Sequence, residues 1–381
     1  MKKIRLFLIE NAVVITFIVL LAIAIPASAL PGQYLLQEIL TRLGRSSFLV
    51  IALLLPIMAG MGLNFAMVLG AMAGQIGLIF AMDWKIVGIP GLLLAMLISL
   101  PVSVVLGLLC GSIMNKAKGR EMVTGFILGF FMNGVYMLFA LYAMGTLLPV
   151  LNPELLLSRG YGLRNAIDLE SVRQVFEKFI PFKLNLNISF LDFNAVLNIP
   201  VFNYLLIAAV SIFIIWFRKT KLGQDMRAVG QDRAVASAAG IAVERTRIIA
   251  IIISTVLAGI GQIIYLQNLG TINTTNSHEQ IGLFSIATLL IGGASVTKAS
   301  IPNVFIGVIL FHLLFLVAPM AGKNLVGSAV VGEYFRQFVS YGVIALALVL
   351  YEWKRVAQEN ESRAMLRGEA GAADKGKVDT E

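Results

Sequence analysis

Nine long stretches of this chain carry no Lys, Arg, Asp or Glu: 11–37, 46–82, 86–115, 122–153, 193–217, 248–278, 280–297, 299–322 and 337–351. A helix needs roughly 20 apolar residues to cross a bilayer, where its backbone groups must be bonded within the segment itself. Most of the stretches fit one crossing, and 337–351 becomes long enough if Arg336, Trp353 and Lys354 snorkel at its ends. Hydrophobic residues make up 58% of the 381 and charged residues 13%, about half the usual share. No water-soluble core hides that much apolar surface. The expected fold is therefore an all-α polytopic membrane protein held in a lipid bilayer. A soluble enzyme, a DNA-binding factor and a secreted disulfide scaffold are excluded, the last because Cys110 is the single cysteine.

The stretch 46–82 is too long for one helix and barely long enough for two, and Pro56, Gly60, Gly62 and Asn64 interrupt its middle. It reads as two short spans with a tight turn or as a re-entrant segment, and both return the chain to its starting side. With the N-terminus inside (Lys2, Lys3, Arg5), the count is ten spans, or eight if 46–82 is re-entrant, with both termini cytoplasmic. This orientation puts the larger share of the 30 Lys and Arg residues on the cytoplasmic side, including seven in 218–247, as the positive-inside rule asks. The net charge of +9 is thus read as topology, and no nucleic-acid partner is expected. The expected layout is a transmembrane domain over 1–356, an extracytoplasmic loop at 149–198, a cytoplasmic loop at 218–247 and a solvated, disordered tail at 357–381. The start imitates a signal peptide with its Ala27-Ser28-Ala29, but the apolar stretch is long for one and many spans follow, so a retained first helix is expected.

The expected spans have no ionisable group at depth other than His312; Glu10, Asp83, Glu279, Lys298 and Arg336 fall at their ends. Proton-driven carriers usually keep ionisable groups in the membrane, so this argues against one, although Na⁺ can be held by carbonyls and hydroxyls. A helix–helix hydrogen bond is expected for His312. The other deep polar groups are neutral. Asn64, Gln75, Asn133, Ser254, Gln262 and Thr288 are candidates to line a path for a polar, uncharged solute. For each of them, interhelical hydrogen bonding is the competing reading. Gly125-x-x-x-Gly129 and Gly292-Gly293 read as close helix packing. The chain has no phosphate-binding loop, no His-Glu-x-x-His and no nucleophile elbow. No catalytic residue, metal site or cofactor is expected, and the energy for any transport must come from another chain or from a gradient.

Between two expected spans lies RKTKLGQDMRAVGQDRAVASAAGIAVERTR, residues 218–247. A first short helix is expected from Lys221 to Val229, with Leu222, Met226 and Val229 on one face and Gly230 ending it. Asp232 suits the N-cap of a second helix through Ala239, and Gly240 suits its stop. That second helix is almost all small: Ala234, Ala236, Ser237, Ala238 and Ala239. It has little apolar area with which to anchor itself, so a partner surface is expected. A loop that only fixes topology needs Lys and Arg; it does not need a cap, a stop and an alanine face.

The stretch resembles the cytoplasmic loop of ABC importer permeases, in the branch that serves ribose and other simple sugars, nucleosides and branched-chain amino acids. The residues that carry the likeness are Thr220-Lys-Leu-Gly223, Arg227-Ala228-Val229-Gly230 and Ala238-Ala239-Gly240-Ile241, with Ser254-Thr-Val-Leu-Ala-Gly259 and Ile286-Ala-Thr-Leu-Leu-Ile-Gly-Gly293 farther on. The resemblance implies coupling helices that seat in an ATP-binding subunit. Interface positions would be Leu222, Gly223, Arg227, Ala228, Gly230, Asp232, Ala238, Ala239, Gly240 and Ile241. It also implies a second permease subunit (a homo- or heterodimer), an extracytoplasmic solute-binding protein and an inner-membrane location. The segment 62–70 follows only loosely the glycine-rich, substrate-side segment of sugar and nucleoside permeases. Simple sugars or nucleosides lead as cargo; branched-chain amino acids, or a gradient-driven carrier working without an ATPase, stay open. In the outer loop, Asp168 is expected to cap a helix through Ile180, with Leu169, Val172, Phe176 and Phe179 on one face and Pro181 ending it.

Overall fold

The computed structural model describes residues 11–349, apart from 118, 189–192, 329, 335, 336, 339, 340, 343, 344 and 346–348. The basic start (Lys2, Lys3, Arg5), Glu10, Arg336, the anchors Trp353 and Lys354 and the expected tail lie outside the described residues. In chain order the helices are α1 (Ala12–Ser28), α2 (Gly32–Ala52), α3 (Leu54–Met58), α4 (Met67–Asp83), α5 (Gly88–Lys116), α6 (Glu121–Leu138), α7 (Val175–Phe179), α8 (Val201–Phe217), α9 (Lys221–Gln231), α10 (Arg233–Ala238), α11 (Val243–Leu269), α12 (Ser277–Ile291) and α13 (Ile301–Val326). The strands are β1 (Ala166–Asp168), which pairs with β4 (Thr271–Asn273), and the hairpin β2 (Pro181–Ile188) with β3 (Phe193–Pro200). The fold is that of a polytopic helical membrane protein. Among the described residues, five helical stretches are long and apolar enough to cross a bilayer: Gly32–Met58, Gly88–Lys116, Glu121–Ala143, Val243–Leu269 and Ile301–Val326. There are six if α8 and α9, bent by 75°, count as one.

The bundle has two different ends. At one, the Asp83 carboxylate closing α4 accepts from the backbone amides of Leu151 and Asn152 (2.8 and 3.0 Å), and the Gln37 side chain exchanges two bonds with the backbone of Asn198. At the other, the turn between α3 and α4 packs on α9. The stretch 46–82 is therefore two helical legs, each running from one end to the other, broken at 59–66, where Gly60 and Gly62 take φ of +68° and +71°.

The stretch 11–37 is not one helix. Ala29 adopts a left-handed conformation after α1, Pro31 opens α2, and the new helix carries Glu38, Arg42 and Arg45 within it. These charges are tolerated because they are partnered. Arg42 pairs with Glu38 one turn back (3.0 Å), and Arg45 donates to Asn268 Oδ1 (3.0 Å) with its guanidinium over the Tyr265 ring. The expected first helix is part of the packed bundle: Phe17 and Leu21 of α1 are buried in a cluster shared with α13.

The centre is a slab of α4, α5 and α11. Glycines let their backbones touch: a methyl on Gly70 would overlap the Thr255 carbonyl oxygen, one on Gly74 that of Gly259, and one on Gly77 that of Ala95. Gly292 packs in the same way on the Asn303 carbonyl of α13, as expected. The Gly125 and Gly129 expectation fails. Methyls there would meet their nearest atoms at 3.4 and 3.7 Å, which is ordinary contact. His312 is buried edge-on to Phe311, and its Nδ1 has no hydrogen-bond partner, so the expected helix–helix bond is absent at that nitrogen.

The outer segment also departs from expectation. Asp168 is not a cap; it lies in β1, paired with Thr271. The expected helix is split into a 3₁₀ turn (Glu170–Val172) and the short α7, because Arg173 is extended and Gln174 left-handed. Leu169, Val172 and Phe176 are buried as expected, but Phe179 is 55% exposed. The β2–β3 hairpin had no counterpart in the sequence reading.

Candidate functional site

The loop 218–247 folds into two short helices against the bundle. Thr220 caps α9 by accepting from the Gly223 amide (3.3 Å). The corner with α8 is tight enough that a methyl on Gly223 would overlap the Phe217 carbonyl. Met226 and Val229 are buried and Leu222 is half-buried, so the expected inward face is correct. Gly230 does not end the helix; α9 continues to Gln231. The residue is small for another reason: it lies on the 59–66 turn, where a side chain would overlap the Met58 carbonyl oxygen, and a methyl on Gly60 would stand 2.8 Å from Gly230 Cα.

Asp232 caps α10 as expected, its Oδ1 accepting from the amides of Ala234 (2.8 Å) and Val235 (3.0 Å). Gly240 closes the helix with φ +81°, also as expected. Of α10 only Ala236 is buried. Ala234, Val235, Ser237, Ala238, Ala239 and Gly240 are exposed, and a methyl on Gly240 would touch nothing within 4 Å. Arg227 is exposed, while Ala228 and Ile241 are half-buried.

Beneath α10 lies an ion cluster that sequence reasoning missed. Glu121, the first residue of α6, is buried and takes two arginines on Oε1: Arg247 of α11 at 2.6 Å and Arg233 of α10 at 2.8 Å. Asn115, near the end of α5, accepts from Arg247 (2.8 Å) and donates to the Glu244 carbonyl (2.8 Å). Arg233 also donates to the Gly60 carbonyl at 3.0 Å. One side chain of α10 thus joins the loop, the start of α6 and the break between α3 and α4. Arg247, 2% exposed, is stable there only because the carboxylate and the amide replace its water. The signal was a lone acid beside a basic segment and an Arg abutting an apolar stretch; residue counting absorbed both into the topology rule.

The six candidate path residues divide into separate places. Asn64 and Ser254 lie together (3.4 Å), with Ser254 donating to the Ala52 carbonyl (2.7 Å). Gln75 and Asn133 are bridged by His278, whose Nδ1 is 3.2 Å from Gln75 Oε1 and whose Nε2 is 2.9 Å from Asn133 Oδ1. Gln75 also donates to the carbonyls of Asn273 and Thr274 (3.3 Å each). His278, at the edge of the 248–278 stretch, was not among the candidates. Asn64, Gln75 and Ser254 are fully buried and serve as interhelical hydrogen bonds. Thr288 is buried in α12, its carbonyl against Gly307. Gln262 differs: it is fully buried, and neither polar atom of its amide has a partner. Asn133 lines a cavity. That space, about 600 Å³, is walled mostly by apolar side chains, Phe65, Val68, Met122, Phe126, Phe130 and Leu283 among them, with Asn133 of α6 and Glu279 of α12 as polar groups at its edge. Among the described residues, no group of His, Cys, Asp and Glu could hold a metal ion.

The family described as branched-chain amino acid transport system / permease component matches residues 35–348. Over 162 residues the chain is 28% identical to the nucleoside ABC transporter permease protein NupB of Lactococcus lactis subsp. cremoris, covering 42% of this chain and 39% of that relative. It is 26% identical over 278 residues to the xylose/arabinose import permease protein XylH of Sulfolobus acidocaldarius, 72% of this chain and 65% of that one. To the L-arabinose transport system permease protein AraH of Escherichia coli it is 29% identical over 157 residues, 41% and 45% of the two chains. The chain spans between 39% and 65% of the length of these curated relatives. No solved structure matches it. The matched region runs from α2 through the capped loop and its ion cluster to the last described helical residues, and on that match the chain belongs to the branched-chain amino acid transport system permease component family.

Proposed function

We propose that this chain is the membrane-spanning permease subunit of an ATP-driven importer for a small polar solute, a simple sugar or a nucleoside. Its partners are a separate ATP-binding subunit, a second permease subunit of the same or a paralogous chain, and an extracytoplasmic binding protein that delivers the solute. The chain itself is not an enzyme. It sits in the inner membrane with ten spans and both termini cytoplasmic: α1, α2 with α3, α4, α5, α6, α8, α11, α12, α13 and the helical residues between 330 and 349. The domain layout follows the expectation above, with 149–198 outside and 218–247 inside. The family match and the nucleoside and pentose names of the relatives support this reading. The observation that carries it is an uncovered small-residue helix, α10, tied through Arg233 to the break in the first helical pair.

The geometry supports a mechanical route. The ATP-binding subunit bears on the exposed Ala238, Ala239 and Gly240. Gly223 and Gly230 act inward, against α8 and the Met58 carbonyl. Movement of the loop passes through Gly230 and Arg233 to the 59–66 turn, which leads directly into α4 and the wall of the Asn133 cavity. ATP and solute bias two arrangements of this route differently, as alternating access requires. The choice of an uncharged solute rests on the neutral amides and hydroxyls buried in the bundle; the cavity wall itself is mostly apolar and carries one carboxylate, Glu279.

Ala239→Trp or Gly240→Trp tests the docking surface. Among the described residues nothing covers either position, so the fold accommodates Trp at 239; at 240, with φ +81°, the side chain also strains the end of α10, and Ala239→Trp is the cleaner test. The ATP-binding subunit should no longer co-purify, and uptake in cells should fall at least tenfold. Full assembly with normal uptake would refute the proposal. Gln262→Leu tests the path: removing an unpartnered buried amide should raise the Tm, by the equivalent of about 1–2 kcal/mol. A fall in uptake despite that gain would put the amide on the solute path; unchanged uptake removes Gln262 from it.

A further inference from the structure

A second cavity, of about 550 Å³, lies beside the cytoplasmic loop and on the flank of α9. Three cations line it, each from a different element: Arg218 after α8, Arg227 of α9 and Lys298 before α13. No acidic residue lines it, and none of the three is in an ion pair among the described residues. In this they differ from Arg233 and Arg247 at the same end, which share the Glu121 carboxylate. Arg227 is held on the cavity side by helical spacing. It shares one flank of α9 with Gly223 and Gly230, and both of those pack on this chain's own backbone.

Two further features define an occupant. The 26-residue α13 begins at the cavity, with Ser300 and Asn303 forming a capping box, so its positive end adds to the three side chains. Leu54, Leu55, Ile214 and Ile301 give the wall an apolar side, while Gln231, Thr297 and Ser300 add neutral polar groups near the cations. Just outside, Trp216 of α8 is 60% exposed and Ile215 49% exposed, the pattern of a residue belt at the membrane–water boundary. An anion that also has hydrocarbon fits this combination, and a bilayer supplies one at that depth.

We propose that this cavity binds the phosphodiester headgroup of an anionic phospholipid of the inner leaflet, with an acyl chain along Leu54, Leu55 and Ile214. The site does not depend on the import reading, and its test reads lipid binding and not uptake. Basic pockets between spans on the cytoplasmic side have the chemistry for such headgroups.

The test uses the purified full chain, delipidated in detergent, with phosphatidylglycerol or phosphatidylcholine titrated in and binding followed by native mass spectrometry. One phosphatidylglycerol should bind at least tenfold more tightly than phosphatidylcholine. The double variant Arg218→Gln/Lys298→Gln should weaken it by about thirtyfold, from about fivefold per basic residue near the leaflet. Lys219→Gln/Lys221→Gln removes two exposed cations of the same loop that do not line the cavity, and should leave the affinity unchanged. Equal weakening by both pairs would mean a diffuse basic surface and would overturn the proposal. So would equal affinity for the two lipids. Displacement of the lipid by millimolar inorganic phosphate would assign the cavity to free phosphate, and displacement by the ATP-binding subunit would assign it to that protein; either result rejects the lipid.

Discussion

Glu121→Gln should destabilise the chain by about 3 kcal/mol, the low end of the cost of removing one partner from a buried ion pair. The charge on Arg247 would remain, buried and facing a neutral amide, while Arg233 at 35% side-chain exposure could turn to water. The measurement is the Tm of the purified protein, with uptake as a second readout. Replacing the pair together, as Glu121→Leu/Arg247→Met, should recover most of the lost Tm, since no charge is then stranded. It should not recover uptake, because Arg233 would have lost the carboxylate that holds it between α6 and the Gly60 carbonyl. A single variant with unchanged Tm would show that water reaches Arg247 and that the cluster is not a sealed joint.

Gly230→Val should separate assembly from transport. Its side chain would be driven into the Met58 carbonyl oxygen, so α9 must lift from the 59–66 turn. Overpacking of this kind costs roughly 1–3 kcal/mol, which a helix still anchored by Met226 and Val229 survives. The ATP-binding subunit should still co-purify because α10 keeps its surface, yet uptake should drop at least tenfold. Retained uptake would show that force bypasses the glycine contact. Gly240→Val, at an open position with φ +81°, should instead fray the end of α10 and weaken docking itself.

The helical legs and the capped loop were readable because their signals are local. Length and apolarity mark a span, and a carboxylate three residues before an amide marks a cap, as Asp232 does with Val235. What escaped depends on residues far apart in the chain. Arg247 and Glu121 are ordinary members of a basic segment until the fold closes 126 residues and removes their water. Gly230 looked like a helix stop because a glycine's lack of a side chain serves conformation and close approach equally, and only the position of Met58 distinguishes them. His278 sits at the edge of an apolar stretch, and nothing nearby announces Gln75 or Asn133. The start of α2 was misplaced because three charges near Arg45 imitate a loop; the aromatic ring of Tyr265 and the amide of Asn268 that receive Arg45 come from another part of the chain.

Gly70, Gly74 and Gly77 lock α4 to α11 and α5 like teeth in a rack. At these three positions the carbonyl oxygens of Thr255, Gly259 and Ala95 lie where a methyl would be, so the backbones meet with no side chain between them. Contacts this close favour α4, α5 and α11 moving together as one body. In the proposed transport cycle that body would pivot at the ends of α4, in the 59–66 corner and the short 84–87 link, with α6 as the facing wall of the Asn133 cavity.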